Sequence, residues 1–276
     1  MRCRSASLAA AVAAIAASAV LLAAPASGQS GQEVQTGFLD RTITVAGHTY
    51  PYQVYVPREY ASDPARRFPV ILFLHGAGER GDDGLAQTEV GLGPALRRHP
   101  SRYPAIVVFP QAPRDSSWTG RVAEAAMAAL ERTEAEFRTD PDRVYLTGMS
   151  MGGNGTWYLA YRHPERFAAI APVCGFVTMR FGAGTATAVP AEDGEPFAAL
   201  ARRLASVPTW IFHGEADPVV PVEQSRRAAK ALEAAGATDV RYSELPGVGH
   251  NAWDPAYASP GFADWLFAQR RTAKSR

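Results

Sequence analysis

Between Arg143 and Ala160 the chain passes from a strand to a helix through Gly148-Met149-Ser150-Met151-Gly152, and this joint restricts the fold more than any other stretch. Arg143-Val144-Tyr145-Leu146-Thr147 is β-branched and aromatic, which reads as a strand. Gly155 to Ala160 reads as a helix that ends near His163-Pro164. A Gly-x-Ser-x-Gly run at such a junction fits a sharp turn that lifts the serine above the backbone. The glycines are needed because a Cβ two residues before or after the serine would strike neighbouring chain. The bare five-residue pattern is common by chance, so the flanking strand and helix give it its weight.

The rest of the chain supplies the layers that such a turn needs. Thr42 to Val45 and Tyr52 to Val56 alternate apolar and polar residues around Ala46-Gly47-His48, an antiparallel hairpin. Continuous apolar runs follow at Phe68–Leu74, Ala105–Phe109, Ala168–Val173 and Thr209–Phe212, with a further strand at Val240–Leu245. Such runs suit strands covered on both faces, as in a parallel sheet. Val122–Phe137, Val222–Ala235 and Phe262–Arg270 have helical composition and spacing. The expected class is therefore α/β: a mostly parallel central sheet with an N-terminal antiparallel hairpin and helices on both faces. The longest irregular stretch, Phe176–Glu195, is rich in Gly, Ala and Thr and reads as a loop near the site, so no large lid is expected.

A serine hydroxyl is a poor nucleophile until a base takes its proton. In folds built around this turn a carboxylate and then a histidine follow the serine in the chain, which leaves His163, His213 and His250. His163 lies in a His-Pro helix end, and His213 ends the Trp210-Ile211-Phe212 strand and reads as structural. His250 sits in the loop Pro246-Gly247-Val248-Gly249-His250, just past a strand, and is the expected base. Asp217, in Gly214-Glu215-Ala216-Asp217-Pro218, is the expected carboxylate, with Glu215 as the rival. The alternative for Asp217 is a turn aspartate that caps the helix near Val222. An oxyanion formed at Ser150 would need two fixed donors. The Met151 amide is one, and His75-Gly76-Ala77-Gly78 offers the other, with Ala77 preferred. Glu79, Arg80, Trp118 and Trp253 follow strands and are the tentative substrate-binding wall, although each could equally pack or face solvent. No metal or cofactor is expected.

Residues 1–26 form no part of this layered pattern. Arg2 and Arg4 precede an apolar run from Leu8 to Ala24 broken by Ser18, and Ala24-Pro25-Ala26 fits a small-residue cleavage site. A cleavable signal peptide is the expected reading, followed by a flexible leader over 27–37 and one α/β domain over 38–272. A retained membrane anchor is the alternative, disfavoured by the short, alanine-rich run. No stable membrane insertion is expected after cleavage, and the destination is the periplasm or the medium. The formal charge is +1, from 28 basic and 27 acidic residues, which suggests no nucleic-acid partner. Cys3 lies in the charged start, so Cys174 would stand alone after cleavage and could form no internal disulfide.

The ordered Ser150, Asp217 and His250, with Leu72-Phe73-Leu74-His75-Gly76-Ala77-Gly78-Glu79-Arg80-Gly81, Phe212-His213-Gly214, Asp217-Pro218-Val219-Val220-Pro221, and Gly249-His250 with Trp253, resemble the α/β-hydrolase superfamily. Within it they look like the peptidase/esterase group near the polyhydroxybutyrate-depolymerase-like and feruloyl-esterase-like hydrolases. The resemblance implies a metal-independent serine hydrolase with Ser150, Asp217 and His250 as its triad. A carboxylic-ester hydrolase acting on small-molecule or polysaccharide-linked acyl esters is the expected function. A serine peptidase of the prolyl-oligopeptidase-like type is the alternative, though such enzymes carry a β-propeller before the hydrolase domain and only a hairpin precedes it here. An acyltransferase and a non-enzymatic binding protein on the same fold are further rivals.

Overall fold

A computed structural model describes residues 35–271. The signal-peptide expectation and most of the leader lie outside the described residues. The chain forms β1 (Gly37–Val45), β2 (His48–Val56), a short α1 (Glu59–Ser62), β3 (Phe68–Leu74), α2 (Leu92–Arg98), β4 (Ile106–Pro110), α3 (Gly120–Glu136), β5 (Thr139–Met149) and α4 (Met151–Arg162). There follow β6 (Ala169–Val173), β7 (Thr178–Phe181), β8 (Gly184–Thr187), α5 (Pro196–Leu204), β9 (Thr209–Gly214), α6 (Glu223–Ala234), β10 (Val240–Leu245), α7 (Trp253–Ala258) and α8 (Pro260–Ala268).

Eight strands make one sheet in the order β1-β2-β4-β3-β5-β6-β9-β10. The β1–β2 and β2–β4 pairs are antiparallel, and every pair from β4 to β10 is parallel. The fold is thus the α/β-hydrolase architecture. Strand β3 shows why its sequence is apolar throughout. Val70, Leu72 and Leu74 join one core with Ala126 of α3, Trp157 of α4, Leu200 of α5 and Leu232 of α6. Ile71 and Phe73 join the other, with Leu96 of α2, Tyr257 of α7 and Phe262 of α8. A strand sandwiched this way has no face left for polar residues.

Three segments depart from the sequence reading. Strand β1 starts at Gly37, so the last residue of the expected leader belongs to the sheet. Phe176–Glu195 is not irregular: β7 and β8 pair antiparallel within it, from Thr178↔Thr187 to Phe181↔Gly184. The hairpin is short and largely exposed, so it carries no apolar alternation to read. Its base is tied down by Gln224 of α6, whose side-chain oxygen accepts from the Val177 and Thr178 amides at 3.1 and 3.3 Å. Finally, Trp253 opens helix α7 and is not in a loop. No helix among the described residues is long and apolar enough to cross a membrane.

Candidate active site

The parallel strands all end on one edge of the sheet, and the expected site residues leave from those ends. Ser150 sits between β5 and α4 with φ 54° and ψ −114°, an uncommon conformation for a residue with a side chain. The turn closes only because its flanks are glycine. A Cβ on Gly148 would lie 2.4 Å from the Gly152 carbonyl oxygen, and one on Gly152 would lie 1.9 Å from that of Leu74. The Ser150 amide donates to Val173 O of β6 at 2.9 Å, which pins the turn to the neighbouring strand.

Three side chains from three strand ends form a continuous relay. His250 Nε2 lies 2.8 Å from Ser150 Oγ, and His250 Nδ1 lies 2.7 Å from Asp217 Oδ2. An ionised carboxylate can only accept, so Nδ1 carries the proton and Nε2 is left to accept from the serine hydroxyl. The Trp253 ring meets the His250 ring edge-on at 5.4 Å between centroids, so Trp253 packs beside the base. Asp217 is the carboxylate in the relay. Its rival Glu215 is exposed and accepts from the Gly247 amide instead.

The Asp217 side chain is fully buried. Its Oδ1 accepts from the Val219 and Val220 amides at 2.8 and 3.0 Å. Burial works to raise the carboxyl's pKa, but the hydrogen bonds from His213, His250, Val220 and Val219 outweigh it and hold the group well below the usual carboxylate range. The charge at Asp217 is therefore secure at neutral pH. His213, read from the sequence as structural, is in fact in contact with this carboxylate: its Nε2 lies 3.1 Å from Asp217 Oδ2. The signal for it was present in the sequence, four residues before Asp217 at the end of the same strand, but only the folded loop shows the contact.

One expected oxyanion donor, Met151, follows the serine directly, and the loop that carries the other, Ala77, packs against the elbow. Met151 is the first residue of α4 and Ala77 the first of a 3-10 turn over Ala77–Glu79, positions where an amide has no acceptor inside its own helix. The two segments touch: a Cβ on Gly152 would lie 2.7 Å from His75 O. Arg80 fixes the Ala77 loop, with Nε donating to Ala77 O at 2.9 Å and Nη1 to Ser116 O at 3.2 Å. Glu79 is half-buried, its Oε2 has no partner, and burial pushes its pKa up. Trp118 corrects the expected pocket wall. It is buried, its indole donates to His75 O at 2.9 Å, and its ring meets the His75 ring edge-on. It supports the Ala77 loop from below because its polar N–H finds a carbonyl there.

Cys174 is free and buried directly after β6, and burial pushes its thiol pKa well up. Its sulfur, an Asp217 oxygen and a His250 nitrogen lie within 4.8 Å of one another. A cation bridging them would have to break the His250–Asp217 hydrogen bond, so the relay and a metal are alternative uses of these atoms. A broad cleft of about 980 Å³ lies elsewhere, between the β1–β2 edge and residues Asp83 to Leu85, and none of the site residues lines it.

Residues 114–266, more than half of the chain, match the prolyl oligopeptidase family. The chain belongs to that family. Several of the proteins it resembles in sequence are named as esterases. Feruloyl esterase B of Neurospora crassa is 32% identical over 148 residues, which are 49% of this chain and 47% of that protein. Acetylxylan esterase A of Emericella nidulans is 27% identical over 157 residues, 52% of this chain and 46% of that one. The crystal structure of a thermostable esterase superposes with a TM-score of 0.72 at 33% identity, covering 85% of this chain and 63% of the other. The chain spans half or less of the length of the curated relatives it matches.

Proposed function

We propose that the protein is an exported serine hydrolase that cleaves carboxylic esters through an acyl-enzyme. The observation that carries this reading is the unbroken Ser150–His250–Asp217 relay. Ser150 Oγ attacks the acyl carbon while its proton passes to His250 Nε2, and the carbonyl oxygen takes up negative charge facing the two amides. Collapse of that intermediate breaks the ester C–O bond, and the His250 proton goes to the leaving alcohol. Water then attacks the acyl carbon, gives its proton to His250, and releases the acid as Ser150 regains its hydrogen. Asp217 stays ionised throughout and stabilises the positive ring.

Similarity to a feruloyl esterase and an acetylxylan esterase supports an acyl group linked to a polysaccharide as the natural ester. The alanine-rich start with Arg2 and Arg4 supports export to the periplasm or the medium, where such polymers are found. Membership of the prolyl oligopeptidase family favours a second reading, cleavage of short peptides by the same residues. The full chain assayed against p-nitrophenyl esters of increasing acyl length, methyl ferulate and a peptide p-nitroanilide separates the two. Ester turnover that Ser150→Ala abolishes is expected. Preference for the anilide would establish the peptidase reading in its place.

A further inference from the structure

His213 is the penultimate residue of β9 and is completely buried. Its Nε2 lies 3.1 Å from Asp217 Oδ2 and 3.0 Å from Val220 O, and both of those atoms can only accept. The Nε2 proton is therefore fixed by its surroundings. On the other side of the ring, Nδ1 lies 2.7 Å from Ser225 Oγ, on the first turn of α6. A neutral ring with its proton on Nε2 accepts at Nδ1, so the Ser225 hydroxyl donates to it. Every polar atom of the pair is then satisfied, and the Ser225 hydroxyl, free to donate, completes the tautomer that the two acceptors at Nε2 impose.

Oδ2 of Asp217 thus takes one ring N–H from His250 and shares a second, that of His213, with Val220 O, while Oδ1 takes two backbone amides. The amides fix one oxygen alone, and a carboxylate held at one oxygen can still turn about its bond to Cβ. We propose that His213 is a positioning residue. Its Nε2–H, shared between Val220 O and Oδ2, steadies Oδ2 where His250 must meet it, and the Ser225 hydroxyl holds the far side of the ring. The inference rests on the relay acting as proposed above, and extends it by two residues that do not touch the reacting atoms.

The other ionisable groups around this pair are accounted for. Cys174 reaches it from the β6 side, its amide donating to Phe212 O. Glu244 of β10 lies in register with His213, and its carboxylate is bonded to Arg226 and Tyr242. Glu215 accepts from Gly247. None of these is bonded to the Asp217 oxygens, so the two histidines and two amides make up the carboxylate's hydrogen bonds among the described residues.

The test compares full-chain wild type with His213→Leu, His213→Gln, Ser225→Ala and Ser150→Ala on p-nitrophenyl acetate. For His213→Leu, kcat should fall on the order of ten- to a hundredfold with KM little changed, the fold-change of one hydrogen bond to a charged group. The acid limb of its kcat/KM profile should move to higher pH, because Oδ2 with one donor fewer holds a protonated His250 more tightly. His213→Gln, which offers an N–H near the Nε2 position, should recover most of kcat. Ser225→Ala should show the same direction with a smaller loss. Wild-type kcat and an unmoved acid limb in a folded His213→Leu would overturn the proposal, as would equal loss in the Leu and Gln variants. Should His213→Leu fail to fold, Ser225→Ala decides: a wild-type kcat and profile there overturns it. Turnover surviving in Ser150→Ala would instead remove the relay reading, and this inference with it.

Discussion

Two histidines, His75 and His213, stand at comparable places: each is fully buried, lies within one residue of the C-terminal end of a parallel strand and is followed by glycine. They are wired in opposite tautomers. The Ala112 amide donates to His75 Nε2 at 2.9 Å, so the His75 proton sits on Nδ1 and is given to Gly76 O at 2.6 Å. His213 keeps its proton on Nε2 and points it at Asp217. The first ring bridges backbone to backbone and shapes the loop that carries Ala77. The second ends on a charged side chain of the relay. Residue type is the same and position at the strand end comparable, so what separates their roles is the chemistry of the group each ring reaches.

Breaking the charged end should give the largest effect. Asp217→Asn keeps the shape but removes the charge that both His213 and His250 address, and kcat should fall by roughly 10³- to 10⁴-fold in a folded protein. Circular dichroism alongside p-nitrophenyl acetate kinetics checks this. A loss under tenfold would mean the carboxylate does not carry the relay.

Acid stability sharpens the comparison from the His75 side. Burial outweighs the Gly76 hydrogen bond and pushes the His75 pKa down to about 4. An unfolded chain takes up the proton near pH 6.5 and the folded one does not, so this contribution is complete above about pH 6.5 and is lost as pH falls toward 4. The loss should reach about 3 kcal/mol at its limit. Urea unfolding at pH 7, 6, 5 and 4 measures it, and His75→Gln should flatten that part of the curve. A wild-type slope in the variant would show that His75 titrates freely.

Trp118→Phe should have the smallest effect. It removes one indole donor from His75 O and should cost about 1 kcal/mol of stability while leaving KM near wild type. A large rise in KM would return Trp118 to the pocket wall.

The parts of this molecule visible in its sequence are those set by local rules. The elbow is legible because Gly148 and Gly152 answer to backbone collisions a few residues away. Strands such as β3 are legible because burial on both faces leaves a continuous apolar run. Asp217 and His250 stand just past strand ends, where the chain order of the relay looks for them. Other features depend on contacts between distant segments. Strands β7 and β8 are four-residue, partly exposed segments held at their base by Gln224 from α6, and nothing in their own pattern records that anchor. Helix α5 carries a start signal, Glu195-Pro196, with the Glu195 carboxylate accepting from the Ala198 amide, but it follows directly on that hairpin and merges with it in the sequence. Trp118 was misplaced because an indole suits a pocket wall and a buried hydrogen bond equally well. His213 reads as structural because Asp217, Val220 and Ser225 meet its ring only in the folded loop.

The most direct test of the serine relay is labelling of the full chain with a fluorophosphonate, followed by intact mass and peptide mapping. One adduct on Ser150, absent from His250→Ala, is the expected result. An adduct on another residue, or undiminished labelling in His250→Ala, would contradict the relay.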